Sequence, residues 1–223
     1  MENIVLIGGG LHGNVCLDIF EKGKEYKVIG IIDSYAEIGS NLHGYKVIGK
    51  QEDIIELADE YDFKAGFIAI GENYSRNLVY KEIINRISDF KFVNAIHPSV
   101  QIGRNVKLGV GIALMAGVKV NPECVIEDFC ILNTGAQLEH NCYMGEFSHL
   151  SAASITGGKV NIGKLSLITL GVTIIDRINI GENTVVGSGA VVLKDLPDNV
   201  LAYGNPARVI RERSKDEKTL KSS

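Results

Sequence analysis

The chain has no tryptophan, and its 223 residues include only 7 Phe, 8 Tyr, 4 Pro and 4 Cys. A core without large aromatics has to fill space with aliphatic side chains, and that requires a regular geometry. The cysteines (Cys16, Cys124, Cys130 and Cys142) show no Cys-x-x-Cys spacing, so neither a zinc site nor a disulfide framework is expected, and no metal is required. No apolar run approaches the ~20 residues needed to span a bilayer, and the first residues lack the charged start, apolar stretch and cleavage site of a signal peptide. A cytoplasmic protein without membrane insertion is the expectation. Basic residues are in the minority, 23 against 27 acidic for a net charge of −4, which leaves no electrostatic footprint for nucleic acid. Small molecules and further copies of the chain remain as partners.

Glycine, at 25 residues, and aliphatic residues are plentiful. From Ile96 to Val192 an aliphatic residue returns at every sixth position without an insertion, and Thr156 is the one member of the series that is not apolar. A second series of small or branched residues runs four positions later, through Cys124, Cys130, Ala136, Cys142, Ser148, Ser154, Val160 and Ser166. Neither helical spacing nor simple alternation gives a six-residue unit, whereas a flat-sided solenoid of short parallel strands does. The three cysteines on the second series read as small core fillers. Glycine often follows the aliphatic residue (Gly103, Gly109, Gly145, Gly157, Gly163, Gly181, Gly187), as expected where the chain turns a tight corner.

Upstream of the repeat, Asn3 to Ile7 reads as a strand, followed by Gly8, Gly10 and Gly13 in G-x-G-x-x-G spacing and a helix from Asn14 to Lys22. Such a loop turns tightly and aims helix N-terminal amides at a phosphate. A second strand, Val28 to Ile32, ends at Asp33, where a dinucleotide fold places its ribose-binding carboxylate. Fewer than a hundred residues precede the repeat, which leaves room for one mononucleotide-binding half rather than two. Gln51 to Glu60 reads as a helix, Gly66 to Ile70 as a strand, Ser75 to Ser88 as a helix and Phe92 to Ala95 as a last strand. Strand ends in such a sheet face the ligand crevice, so Gly10, Leu11, His12, Gly13, Asp33, Ser34, Gly71 and Asn73 are the candidate substrate contacts. The expected fold class is therefore mixed. A small α/β Rossmann-like half domain covers 1–95, a parallel β-helix covers 96–210, and a charged tail, read as a frayed helix, covers 211–223.

Several stretches carry a closer likeness: Ile70-Gly71-Glu72-Asn73, Ile96-His97-Pro98, Glu139-His140-Asn141-Cys142, Gly145-Glu146-Phe147-Ser148-His149 and Gly204-Asn205-Pro206-Ala207. Together with the glycine-rich start they resemble the bacterial nucleotide-sugar N-acetyltransferases and the related sialic acid O-acetyltransferases, hexapeptide-repeat acyltransferases. The resemblance implies a left-handed β-helix with three hexads per coil and a homotrimer with active sites between subunits. It also implies acetyl-CoA as co-substrate and a nucleotide-linked amino sugar, acetylated at a 4-amino group. By the same resemblance His140 is the general base, His149 lies at the thioester end, and Gly158, Leu170 and Ser188 contact the cofactor. Histidine suits this role because a nucleophile attacking a thioester sheds a proton near neutral pH.

Where many relatives carry a carboxylate after the base, this chain has Asn141, which can fix the imidazole tautomer but supplies no charge. Glu123, 18 residues earlier, is a possible substitute carboxylate. Acetylation of a sugar hydroxyl is the nearest alternative function. A non-catalytic nucleotide-binding trimer is the alternative of another class.

Overall fold

Runs of aliphatic residues near the start build a mostly parallel sheet whose central strands are buried on both faces. The computed structural model describes residues 1–214 and 216–219 and falls into two units. Met1–Gly71 with Ser75–Pro98 forms the first, and Glu72–Tyr74 with Ser99 onward forms the second.

The first unit contains β1 (Glu2–Ile7), α1 (Leu11–Lys22), β2 (Tyr26–Ile32), β3 (Asn41–Leu42), β4 (Tyr45–Gly49), α2 (Ile54–Tyr61), β5 (Ala65–Ile68) and β6 (Lys91–Phe92), with α3 (Asn73–Arg86), from Ser75 on, before β6. The sheet order is β3-β4-β2-β1-β5-β6, parallel except for the β3–β4 hairpin. Ile4, Val5 and Leu6 of β1 have no exposed surface. Helix α1 starts at Leu11, three residues before the Asn14 read from sequence, and the strand expected over Phe92 to Ala95 is instead Lys91–Phe92 followed by a separate two-residue strand, Ala95–Ile96. The β3–β4 hairpin has no counterpart in the sequence reading. Its first strand is too short to show alternation, and its turn rests on Gly44, at φ 89°, whose N–H donates to Asn41 Oδ1. Among the described residues no helix is long and apolar enough to cross a membrane.

The second unit is a left-handed parallel β-helix of two-residue strands, from Gln101–Ile102 to Val191–Val192. Each strand pairs in parallel with the one 18 residues on, as in Val125 with Tyr143 and Ile131 with His149, so three hexads make one coil. The aliphatic series points inward: Leu114, Leu132, Leu138, Met144, Leu150, Ile162 and Ile168 are fully buried. The second series lies inside as well, and its polar members are satisfied. Ser154, Ser166 and Thr184 each donate to a main-chain carbonyl of the next coil at 2.6 Å, and Ser154 and Ser166 also accept an N–H from the residue 18 positions on. Cys124, Cys130 and Cys142 are buried as thiols rather than disulfides.

The glycines after the aliphatic residues do a different job from the one expected. Left-handed backbone falls two positions later, at every sixth residue from Asn105 to Gly189, and most of these corner residues are not glycine. Asn141, Phe147 and Lys159, for example, have φ of 58–59°. Gly145 and Gly163 are needed for close approach: a Cβ on Gly163 would lie 2.6 Å from the Glu182 nitrogen, and one on Gly145 2.7 Å from that of Lys164. The frayed-helix reading from Arg211 is also corrected. Arg211 and Glu212 end a strand, Ala207–Glu212, antiparallel to Val200–Gly204, while residues 215 and 220–223 of that expected tail lie outside the described residues. A fixed β-ladder partner, rather than local propensity, decides the conformation there.

The first unit also buries polar groups. The Arg76 guanidinium, 1% exposed, donates from Nη1 to the carbonyls of Ile70 at 2.8 Å and Gly71 at 3.1 Å. Burial, reinforced by the nearby Arg76 charge, lowers His12 from its ordinary 6.5 to about 4, and burial pushes the Cys16 thiol up to about 12.

Two measurements test these assignments. Gly163→Ala should destabilise by about 1–3 kcal/mol through overpacking. Gly171→Ala, at φ 65° with nothing near its Cβ position, should cost no more than the left-handed strain of about 1–2 kcal/mol. Urea midpoints in the reverse order would show that corner conformation, not coil spacing, governs glycine use. For His12, the unfolded chain binds the extra proton below its ordinary value, so the stabilisation present above pH 6.5 is lost as pH falls toward about 4. His12→Asn should flatten that part of the melting-temperature profile, and a profile identical to the parent's would refute the buried neutral imidazole.

Candidate active site

The sheet of Gln137–Leu138, Ile155–Thr156, Thr173–Ile174 and Val191–Val192 forms one face of the β-helix, bordered by two rows of corners. His140 and Gly158 stack on one border, 18 residues apart. His140 is exposed, and its backbone is fixed by the neighbouring coil: the Lys159 N–H donates to the His140 carbonyl at 2.9 Å. The next residue, Asn141, turns through left-handed backbone and donates its N–H to the Pro122 carbonyl at 3.0 Å. Its side chain comes back to the ring, with Oδ1 2.9 Å from His140 Nδ1. With the amide oxygen as acceptor, Nδ1 carries the hydrogen and Nε2 presents a lone pair. The ring's Nε2 edge lies over Gly158, where a Cβ would be 2.6 Å from Nε2. Gly158 is in turn held by its N–H donating to Asp176 Oδ1 at 2.8 Å. Glycine here makes room for the imidazole.

Glu123 is turned away from Asn141 in this structure. Its Oε1 accepts a bond from Asn105 Nδ2 at 2.7 Å, in the coil on the side away from Asn141. The 18-residue spacing correctly makes Glu123 a neighbour in the stack but says nothing about which way its side chain turns.

Leu170 and Ser188 lie on the opposite border of the same face. Leu170 is 59% exposed, and Ser188 is exposed with its hydroxyl donating to Thr169 Oγ1 at 3.2 Å. His149 sits elsewhere. It belongs to the face of Ile131–Leu132 and Leu167–Ile168 and is 5% exposed. The hexad position does turn it away from the axis, but burial at that position depends on packing that the period does not encode.

In the first unit, the glycine loop follows β1 and leads into α1, whose N-cap is Gly10 without a side-chain cap. Gly8 has φ 99°, and a Cβ on Gly13 would lie 2.6 Å from the Gly8 carbonyl oxygen, which accounts for both ends of the motif. No side chain caps the first N–H groups of α1, beside exposed Leu11, and an uncapped helix start of this kind suits an anion. Asp33 is half-buried. Burial alone would raise its carboxyl, but N–H donors from Gly9 at 2.8 Å, Tyr35 at 2.9 Å and Ala36 at 3.0 Å hold it below the usual range. It fastens the glycine loop to the turn after β2, with exposed Ser34 inside that turn. His12 lies against Gly71, 3.6 Å from its Cβ position, and its buried Nε2 has no hydrogen-bond partner among the described residues. Asn73 groups with the second unit, where its buried amide donates to the Leu165 and Ser166 carbonyls at 3.1 and 3.2 Å. No pattern singles out His43, whose Nε2 lies 3.0 Å from the Gly9 carbonyl oxygen, or Tyr35, whose side chain is fully exposed two residues after Asp33. Among the described residues no cluster of His, Cys, Asp and Glu is placed to hold a metal ion.

The family model of the PglD N-terminal domain matches residues 3–83. PerB from Caulobacter crescentus, solved in complex with CoA and GDP-perosamine, is 36% identical with a TM-score of 0.86, covering 95% of this chain and 98% of that one. The acetyltransferase domain of PglB from Neisseria gonorrhoeae, solved with acetyl coenzyme A, is 27% identical with a TM-score of 0.85, covering 94% of this chain and 99% of that one. Serine acetyltransferase 2 from Arabidopsis thaliana is 28% identical over 149 residues, 66% of this chain. The chain spans 41% of that protein, and between a quarter and about two-fifths of the first curated relatives it matches. A small α/β unit, a β-helix with a histidine on its edge, and full-length likeness to PerB together place the chain in the nucleotide-sugar acetyltransferase family of hexapeptide-repeat acyltransferases.

Proposed function

We propose that this protein transfers the acetyl group of acetyl-CoA to the amine of a nucleotide-linked amino sugar, at a 4-amino position, with His140 as the general base. The observation that carries the reading is the His140 side chain itself, with Nδ1 on Asn141 and the Nε2 edge over Gly158, on an exposed border of the β-helix. The glycine loop of the first unit, with bare amides at the start of α1, supports a nucleotide diphosphate as the handle of the sugar. PerB, bound to CoA and GDP-perosamine, supports the same pairing of substrates.

Bound acetyl-CoA supplies a thioester whose carbonyl carbon accepts the sugar nitrogen, so that a C–N bond forms, the C–S bond breaks and thiolate leaves. His140 Nε2 takes the proton that the nitrogen sheds. Asn141 holds the imidazole in the required tautomer but adds no negative charge to the imidazolium, so the base acts by position more than by electrostatic assistance. Leu170 and Ser188 would flank the cofactor along the opposite border, Gly158 would contact it beside the imidazole, and His149 is assigned to its thioester end. The homotrimer belongs to the same proposal: a second copy lying along this face would cover exposed Leu170, Ile175 and Leu193.

Thiol release from acetyl-CoA, measured with a panel of nucleotide-linked amino sugars and their hydroxy counterparts, tests the reading. Amino sugars should turn over and hydroxy sugars should not, and His140→Ala should lower kcat by about 10²–10⁴-fold. Turnover of the hydroxy sugars alone would make the enzyme an O-acetyltransferase. Unchanged turnover in His140→Ala would remove the base.

A further inference from the structure

Along the β-helix, the residue after each aliphatic position donates its N–H to a main-chain carbonyl of the next coil. Asn121 bonds Leu138, Glu127 bonds Met144, Asn133 bonds Leu150, Gly145 bonds Ile162, Ser151 bonds Ile168 and Gly157 bonds Ile174, all at 2.6–2.9 Å. Glu139, immediately before His140, departs from this rule: its N–H goes to the side-chain Oγ1 of Thr156 at 3.0 Å. The two strands there register at a single position, Gln137 with Ile155, where adjacent strand pairs register at two. Thr156 is also the one polar residue in the aliphatic series and is 2% exposed. Its hydroxyl lies 3.5 Å from Cys142 Sγ, which is itself 3.3 Å from the Gly157 carbonyl. One buried hydroxyl therefore touches the residues on both sides of the His140–Asn141 corner.

We propose that Thr156 is a positioning residue for His140: by taking the Glu139 N–H on its side chain, it gives the main chain one residue before the imidazole a hydrogen bond that the neighbouring coils make to a carbonyl instead. This rests on the role given to His140 above. Valine has the shape of threonine without the hydroxyl. In Thr156→Val the Glu139 N–H has the main-chain carbonyl of residue 156 as its nearest replacement, the partner that every neighbouring coil uses. That shift carries the imidazole away from its seat over Gly158. Threonine matters here for its oxygen rather than for its volume.

The test measures acetyl transfer and the His140 imidazole signals by NMR in Thr156→Val and Thr156→Ser, each also in a His140→Ala background. Because a misplacement of about 1 Å can cost about 10²-fold, Thr156→Val should lower kcat by roughly 10- to 100-fold. The KM for acetyl-CoA should stay unchanged, and Thr156→Ser should restore the rate. In the His140→Ala background Thr156→Val should cause no further loss, since it acts through the ring it positions. The imidazole signals should move in the valine variant and not in the serine variant. An unchanged kcat, an equal loss with and without His140, or unmoved imidazole signals would overturn the inference. If the valine variant does not fold, Thr156→Ala against Thr156→Ser carries the same comparison. Should the parent transfer no acetyl at all, the proposed function fails on its own, while the imidazole spectra still decide the positioning role.

Discussion

The main-chain hydrogen bond from one coil to the next, repeated every six residues, is the constraint on which the second unit depends. Strands of two residues have no stability alone, and each is held by neighbours above and below at a fixed 18-residue offset. Once that ladder is set, every side chain's direction follows from its place in the hexad. Aliphatic residues and small hydroxyls or thiols fill the axis, and whatever sits between them is displayed outside. The few aromatics are a consequence: a narrow prism has room for Leu, Ile, Val and Ser, and the Phe129–Phe147 stack, with ring centroids 4.9 Å apart, sits at successive left-handed corners rather than on either inward series.

A rigid ladder also explains how a histidine can be aimed without a carboxylate behind it. A histidine on a loop needs partners to hold its ring, whereas His140 has its carbonyl and the following N–H already fixed by the coils on either side. The side chain then needs only one orienting contact, from Asn141, and one surface to rest on, which Gly158 provides. Charge stabilisation from a neighbouring carboxylate is separate from orientation. Glu123 shows the difference, being adjacent by period yet turned to Asn105.

The parts of the fold that were legible in the sequence are those governed by period. The hexads fixed the repeat, the inward columns and the edge that bears His140, because a six-residue period leaves each position one direction to face. The glycine spacing located the loop before α1 for a similar reason, since only glycine tolerates the approach to the Gly8 carbonyl at position 13. What escaped the reading depends on the third dimension. The β3–β4 hairpin is too short to carry a pattern, the burial of His149 comes from packing against its face, and the strand at Arg211 exists because Val200–Gly204 offers it an edge. The glycines that follow the aliphatic positions were legible as glycines but read as corners rather than as the coil contacts they serve.

The two units solve the same problem by the same means, using polar side chains to hold main chain rather than to face solvent. Asp33 collects three N–H groups and so ties the glycine loop to the turn after β2. Arg76, almost wholly buried, holds the carbonyls of Ile70 and Gly71, and the His12 ring lies beside Gly71. Leaving either carboxylate or guanidinium unpaired in such surroundings would be costly, so both are bound to the backbone groups they fix. Asp33, just after β2, acts first as a brace for the glycine loop. A loop braced before its ligand arrives has less conformational freedom to lose on binding, which favours affinity without adding a contact.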